Sequence, residues 1–234
     1  MTTEKNKSES GVDLSLVIAA HNEVDTIADV VRRARDVMGI HAEIIVVDDG
    51  STDGTRHAAL DTDARVVHLW PNRGKGEALR VGVAQTNGRW VIFLDGDGQD
   101  DPADIPRLLQ AATDDVIMVN GSRFLGSLRE GAINGPNRVG NIALTWLMSA
   151  LFGHRITDSQ AGFRVFRGDV VRSLSLRSTE YEIETEMLAK VLRRGHRVVE
   201  VPVTRYQRGG GHTDFRRVRN GLRILGTMLR ERFA

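Results

Sequence analysis

Hydrophobic residues along this chain come in short unbroken runs rather than in alternation. Leu14–Ala20, Glu43–Val47 and the stretch from Trp90 to Leu94 are such runs, and Val66–Leu69 adds one of similar type, third in chain order. Each has strand length and each is closed by polar residues. Between the first two lies a helical pattern, with Ile27, Val30, Val31, Ala34 and Val37 on one face and Arg32, Arg33 and Arg35 elsewhere. Asn72-Arg73-Gly74-Lys75-Gly76 opens another helix running to about Gln85. Continuous apolar runs separated by helices predict a parallel sheet covered on both faces.

The second half changes character. Asp115–Asn120 reads as a strand ending in Gly121-Ser122-Arg123, followed by a Gly-containing segment to Pro136 that is expected to be flexible. An apolar helix is expected from about Asn137 to Phe152. Thr157–Arg164 reads as a compact polar loop before the short strand at Val165-Phe166. Tyr181–Arg194 reads as a helix carrying Glu182, Glu184 and Glu186, and Arg197–Val203 as a strand. Arg208-Gly209-Gly210-Gly211-His212-Thr213 is expected to be a mobile loop. The last helix places Val218, Leu222, Leu225 and Leu229 on one face, beside Arg216, Arg219, Arg223 and Arg230.

Composition narrows the class. The 234 residues fit one large domain or two joined halves. A hydrophobic share of 41% and a charged share of 27% are those of a globular protein. A formal net charge of +1 gives no reason to expect nucleic-acid binding. Without cysteine there is no disulfide or thiolate chemistry, which fits a cytoplasmic setting. Met1–Val12 is polar, without the apolar core of a signal peptide, and reads as a disordered tail. No apolar run reaches the roughly 18–20 residues that a spanning helix needs, so no membrane crossing is expected. There is no internal repeat or low-complexity tract, and nothing in the sequence fixes an oligomeric state.

The chemistry gathers where the strands end. Asn22 and Glu23 follow the first run, Asp48 and Asp49 the second, and Asp95-Gly96-Asp97-Gly98-Gln99 the fourth. In open α/β sheets ligands bind beyond the carboxyl ends of the strands. Two carboxylates one residue apart at a strand end can turn toward one point, and hard oxygen ligands suit Mg²⁺ or Mn²⁺ bridging to phosphate. Three other readings compete. An EF-hand needs Glu at the twelfth position from Asp95, where Pro106 stands. An aspartyl-phosphate phosphatase usually carries Thr or Val where Gln99 stands. A plain turn accounts for the Gly-rich string alone, but not for two further acidic strand ends. Asp48–Asp53 has its own plain reading as a turn with cap-forming Ser51, Thr52 and Asp53. Asn72–Gly76 is no Walker loop and no G-x-G-x-x-G follows a strand. Lys75 at a helix start reads equally as a phosphate ligand or a solvated charge.

Ala19-Ala20-His21-Asn22-Glu23, Asp48-Asp49-Gly50-Ser51-Thr52-Asp53 and Asp95-Gly96-Asp97-Gly98-Gln99 resemble the successive motifs of family 2 glycosyltransferases with the GT-A fold. Continued through Gly121-Ser122-Arg123, Asp158–Arg164 and Arg208–Thr213, the pattern resembles the branch that makes dolichyl- or polyprenyl-phosphate mannose and glucose. It covers roughly residues 13–215. The resemblance implies an α/β GT-A fold, a mixed, mostly parallel central sheet flanked by helices. It implies residues 13–120 as a nucleotide-binding half, 121–205 as an acceptor half, and 206–234 as a basic amphipathic segment. The implied reaction is inverting transfer of one sugar from a GDP-mannose- or UDP-glucose-type donor to a membrane lipid phosphate, with Mg²⁺ or Mn²⁺.

Carried over by residue, the resemblance implies that Ala19, His21, Glu23 and Asp49 line the nucleoside pocket. Asp95 and Asp97, with Gly96 between them and the Gln99 side chain beside them, would hold the metal on the donor diphosphate. Arg123, Arg138 and Arg208 match positions of cations near donor and acceptor phosphates. Asp158 would shape the acceptor side, with Gly162 and Phe163 forming its turn. An acceptor phosphate is already ionised and needs no strong base, so Asp97 and Arg208 would carry catalysis. A hydroxyl acceptor must lose a proton, and Glu184 or Glu186 would then be the base. A third possibility is a silent sugar-nucleotide or lipid-carrier binding module, which has no need of a complete metal site.

Two departures bear on the acceptor. Asp214 follows Thr213 where the family commonly has Lys, and the region near Glu182 is acidic where mannose-type members carry a phosphate-binding Lys. Arg216 and Arg217 are the expected substitutes. The two apolar-faced helices suit a peripheral attachment to the cytoplasmic face of a membrane, the last one with a basic stripe toward anionic lipid. Their alternative roles are packing between the two halves, docking on the domain, or a dimer contact.

Overall fold

The computed structural model describes residues 13–133, 135–208 and 217–234. The tail expected over residues 1–12, all but Arg208 of the loop expected over Arg208–Thr213, and Asp214 and Arg216 lie outside the described residues.

The first half builds β1 (Leu14–Ala20), α1 (Ile27–Met38), β2 (Glu43–Asp49), α2 (Thr55–Leu60), β3 (Arg65–Leu69), α3 (Lys75–Ala84) and β4 (Trp90–Asp95). The second adds α4 (Ile105–Ala111), β5 (Met118–Leu128), α5 (Gly135–Phe152), β6 (Arg164–Arg167), α6 (Gly168–Ser173), α7 (Ile183–Arg193), β7 (Val198–Arg205) and α8 (Arg217–Phe233). One seven-stranded sheet runs through both in the order β3-β2-β1-β4-β6-β5-β7. All described pairings are parallel except those of β6, which runs against both β4 and β5. This is the mixed, mostly parallel sheet that the apolar runs imply.

The runs are unbroken because successive strand residues face opposite sides and both sides are covered. Leu16, Ile18, Ile92 and Leu94 point into one core with Ile27, Val30 and Val31 of α1. Val17, Val91 and Phe93 point into the other, with Leu79 and Val83 of α3 and Met187 and Leu188 of α7. A polar residue at any of these positions would be buried without a partner, at a cost of about 1–3 kcal/mol.

Three local expectations change. The strand expected to stop at Asn120 continues to Leu128, pairing with β7 across a register shift between Ser122 and Ser127. The stretch between β5 and α5 that is expected to be flexible is therefore shorter than its glycines imply. α2, α4 and α6 have six or seven residues each, too few to declare a helical period. In α8 the docked face is not the expected stripe. Ile224 and Met228 are buried, as are Asn220, Thr227 and Glu231, while Val218, Leu222 and Leu229 are exposed. Glu231 reaches Lys190 at 3.9 Å and Arg193 at 3.8 Å, so an ion network helps hold α8 on α7.

Candidate active site

The parallel register sets the site. Ala19 of β1 lies beside Asp95 of β4, and Ala20 beside Asp48 of β2. The polar strand ends therefore converge at one rim, where a cavity of about 840 Å³ opens. Ala19, His21, Glu23, Asp49, Asp95, Gly96, Asp97, Gln99, Arg123, Glu184 and Arg208 all line it. Its far end runs between α5 and α8, along Leu144, Leu147, Leu222 and Leu225.

Asp95 ends β4 and Asp97 sits in the following turn, which Gly98 closes at φ +68°. The Gln99 amide N–H donates to Asp97 Oδ1 at 3.0 Å, and Thr26 Oγ1 donates to the Gly96 carbonyl at 2.7 Å. Asp95 Oδ1 is 2.7 Å from Lys75 Nζ. Burial opposes ionisation of Asp95, but the Lys75 ammonium overrides it and holds the carboxyl below its ordinary range. Burial and the Asp95 charge push Asp97 the other way. The Gln99 side chain does not point freely at this pair. Its Nε2 donates to the Tyr206 carbonyl at 3.1 Å and its Oε1 accepts from Arg205 at 2.8 Å, which leaves one lone pair.

Glu23, 8% exposed, pairs through Oε1 with Arg208, while its Oε2 has no partner among the described residues. Burial pushes its carboxyl up to about 7, against the pull of Arg208. Arg208 Nη1 also lies 3.5 Å from Asp97. Asp49 is placed as expected in the wall, but both its oxygens accept backbone N–H groups, from Arg73 and Gly74, each at 2.8 Å. It shapes the turn into α3 as much as it lines the pocket. His21 lines the wall beside Asn22, whose φ of 56° turns the chain out of β1.

On the side expected to take the acceptor, the buried Arg123 grips Asp158 with Nε and Nη2, both at 2.7 Å. Arg138 is not brought in: it lies exposed on α5 and outside the cavity lining. Glu184 lines the cavity and meets Lys75 at 2.7 Å. Glu186 does not. Its carboxylate accepts from Arg177 N at 3.0 Å and Ser178 N at 2.8 Å and pairs with Lys190 at 2.7 Å, all within the protein. These bonds hold it below its ordinary range in spite of burial. It is a buried anion held within the protein, and the structure does not bring it to the cavity. Glu182 is also outside the lining.

Sequence reasoning missed Arg205, which bonds Gln99 and Asp100 Oδ2 at 2.8 Å each from the end of β7. It lies two residues past the strand expected over Arg197–Val203, and nothing in the local sequence marks it. It also left Lys75 undecided, since a helix-start lysine has no distinctive pattern.

The charge balance bears on a metal. Among the described residues the lining holds six carboxylates, Glu23, Asp49, Asp95, Asp97, Glu180 and Glu184, against four cations, Lys75, Arg123, Arg205 and Arg208. Among the described residues no three His, Cys, Asp or Glu groups converge as a metal cage. The crowded Asp95/Asp97 pair fits a divalent cation that takes its other ligands from a bound diphosphate or water, as Mg²⁺ does at phosphate sites.

The comparisons agree with this architecture. Residues 15–174 match the family described as glycosyl transferase family 2. The chain is similar to the glycosyltransferase AglJ of Haloferax volcanii, 36% identical over 208 residues that span 88% of this chain and 67% of the relative. It is also similar to the undecaprenyl-phosphate mannosyltransferase of Micrococcus luteus, at 29% identity over 84% of this chain and 85% of the relative. Its fold matches glucosyl-3-phosphoglycerate synthase of Mycobacterium tuberculosis, crystallised with Mn²⁺, UDP-glucose and phosphoglyceric acid, with a TM-score of 0.78 at 24% identity. That match covers 97% of this chain and 82% of the other. The chain is a glycosyltransferase with a GT-A-type fold and belongs to glycosyl transferase family 2.

Proposed function

We propose that this enzyme moves a hexosyl group from a nucleotide-sugar to a polyprenyl phosphate at a membrane surface, with inversion and with Mg²⁺ or Mn²⁺. The observation that carries the reading is the shape of the cavity. A charged rim with Asp95, Asp97 and Arg208 continues into an apolar groove between α5 and α8. A phosphate on a long apolar chain matches both ends of that space at once. The name of the Micrococcus luteus relative supports the lipid acceptor, and the ligands of the Mycobacterium tuberculosis synthase support Mn²⁺ and a UDP-glucose-type donor. A GDP-mannose-type donor fits the same rim.

In the reaction an acceptor phosphate oxygen bonds to the anomeric carbon as the bond to the donor phosphate breaks. The electron pair leaves with the nucleoside diphosphate. A divalent cation, when bound, would neutralise charge growing on that leaving group. Asp95 and Asp97 would hold it, with the remaining lone pair of Gln99 in reach of the same turn. Arg208 would exchange its pairing with Glu23 and Asp97 for phosphate oxygens, and Arg123 would present a fixed positive edge to the acceptor. The ionised acceptor leaves no proton to remove, in keeping with the sealed position of Glu186.

Peripheral attachment to a cytoplasmic membrane face belongs to the same proposal. Trp146, Val139 and Ile142 of α5 and Val218, Leu222 and Phe233 of α8 are exposed, with Arg219 and Arg230 exposed on α8. No helix among the described residues is long and apolar enough to cross a bilayer. A hydroxyl acceptor is the second reading, because Glu184 lines the cavity with a buried Oε2 that has no hydrogen-bond partner among the described residues. Incubation with radiolabelled nucleotide-sugars and a membrane extract tests the two: label in the organic phase supports the lipid, and label confined to the aqueous phase supports the hydroxyl.

A further inference from the structure

Lys75 is held by contacts that converge from several parts of the chain. It is the first residue of α3, and that helix start is wedged between two loops. The Gly74 N–H donates to Asp49 at 2.8 Å, and the Gly76 and Glu77 N–H groups both donate to the Thr179 carbonyl, at 2.9 and 3.3 Å. Glycine is required here: a Cβ on Gly74 would lie 2.3 Å from that carbonyl, and Gly74 has a φ of +92°. So the position of the Lys75 backbone is set by the nucleoside side and the acceptor side together.

Its ammonium has the same double attachment. Nζ is 2.7 Å from Asp95 Oδ1 and 2.7 Å from Glu184 Oε1, with the Tyr181 ring centroid 5.9 Å away. The Gly162 backbone closes over the pair, so that a Cβ there would meet Asp95 Oδ2 at 3.0 Å and Nζ at 3.4 Å. Glu184 is itself anchored, since its backbone carbonyl accepts from the buried Arg164 at 2.6 Å. Two carboxylates from opposite halves of the site thus share one cation.

We propose that Lys75 is a positioning residue that couples the metal-side carboxylate Asp95 to the acceptor-side carboxylate Glu184, rather than a ligand of the donor phosphate. The proposal rests on the reading of Asp95 as a metal carboxylate. Without the ammonium no cation would stand between Asp95 and Glu184, although Arg205 and Arg123 still act on Asp95, and the repulsion between the two carboxylates would draw Asp95 off its metal-holding position. Removing the Glu184 charge as well would relieve that repulsion. A lysine that served only the donor phosphate would show no such rescue.

Calorimetric titration of UDP and of GDP, each with and without Mn²⁺, reads this directly. In Lys75→Met the Mn²⁺-dependent affinity should fall about 10–100-fold, the usual cost of losing a partner that orients a metal ligand, while the metal-free affinity stays within about twofold. Lys75→Arg should recover part of the loss. Adding Glu184→Gln to Lys75→Met should recover most of it. An equal loss with and without Mn²⁺, or a double variant no better than Lys75→Met, would overturn the proposal. If Lys75→Met does not fold, the double variant decides: it should fold and keep its Mn²⁺ dependence, and failure of either overturns the coupling. Unsubstituted enzyme that binds both nucleotides equally well with and without Mn²⁺ would instead refute the metal reading of Asp95, and the proposal with it.

Discussion

Arg123 and Asp158 form a buried, two-pronged ion pair that ties β5 to the loop before β6. Burial alone would raise the Asp158 carboxyl, but the Arg123 charge and hydrogen bonds outweigh it and hold it below its ordinary 3.8. The unfolded chain therefore protonates this group at a higher pH than the native one. Its contribution is full above the unfolded value and is lost as pH falls through the native value. Asp158→Ala should cost about 3–5 kcal/mol at neutral pH, because it strands a buried guanidinium. Chemical denaturation at pH 7 and pH 3 should find the gap between the two proteins narrower at pH 3.

Glu23 should act in the opposite sense. Its native value is about 7 against an ordinary 4.5, so between those values the native state holds the extra proton. Stability of the ligand-free enzyme should fall as pH rises from 4.5 through 7. Glu23→Gln should flatten that part of a melting-temperature profile, and a profile as steep as the unsubstituted enzyme's would count against this assignment.

The parallel core and the acidic rim were legible because both are local patterns. A strand covered on two sides must be apolar at each position, and the polar residue that ends it marks the rim. That logic placed Glu23, Asp49, Asp95 and Asp97 in one cavity. It failed where tertiary contacts decide. The extension of β5 from Gly121 to Leu128 depends on pairing with β7, which its small and polar residues do not announce. Glu184 and Glu186 look alike in sequence, yet two residues on a helix are turned by about 200°. Only one of them can face the site, and their period on α7 does not say which. Arg205 and the shared contact of Lys75 depend on loops that meet only in the folded chain.

That separation on α7 gives a further test. Glu186→Gln should lower thermal stability, since it weakens the hold on Arg177, Ser178 and Lys190, and leave the pH profile of kcat unchanged. A kcat profile that loses its basic limb in this variant would restore Glu186 as a base.

The exposed side chains of α5 and α8 should govern attachment to lipid. Trp146→Ser with Leu222→Ser should weaken co-sedimentation with phosphatidylglycerol-containing vesicles, by several-fold or more given about 25 cal/mol per Å² of apolar surface. Arg219→Gln with Arg230→Gln should weaken it further at low salt, by up to about 1 kcal/mol for each charge. Melting temperatures should stay close to that of the unsubstituted protein, because all four side chains are exposed.

Metal-dependent transfer of a sugar onto a lipid phosphate can be reconstituted from defined components. Purified enzyme, Mn²⁺, a labelled nucleotide-sugar and vesicles carrying one polyprenyl phosphate should release nucleoside diphosphate and form a glycosyl phospholipid in equal amounts. Asp97→Asn should abolish both. Sugar release that does not depend on the lipid phosphate, or an Asp97→Asn enzyme as active as the unsubstituted one, would rule this reaction out.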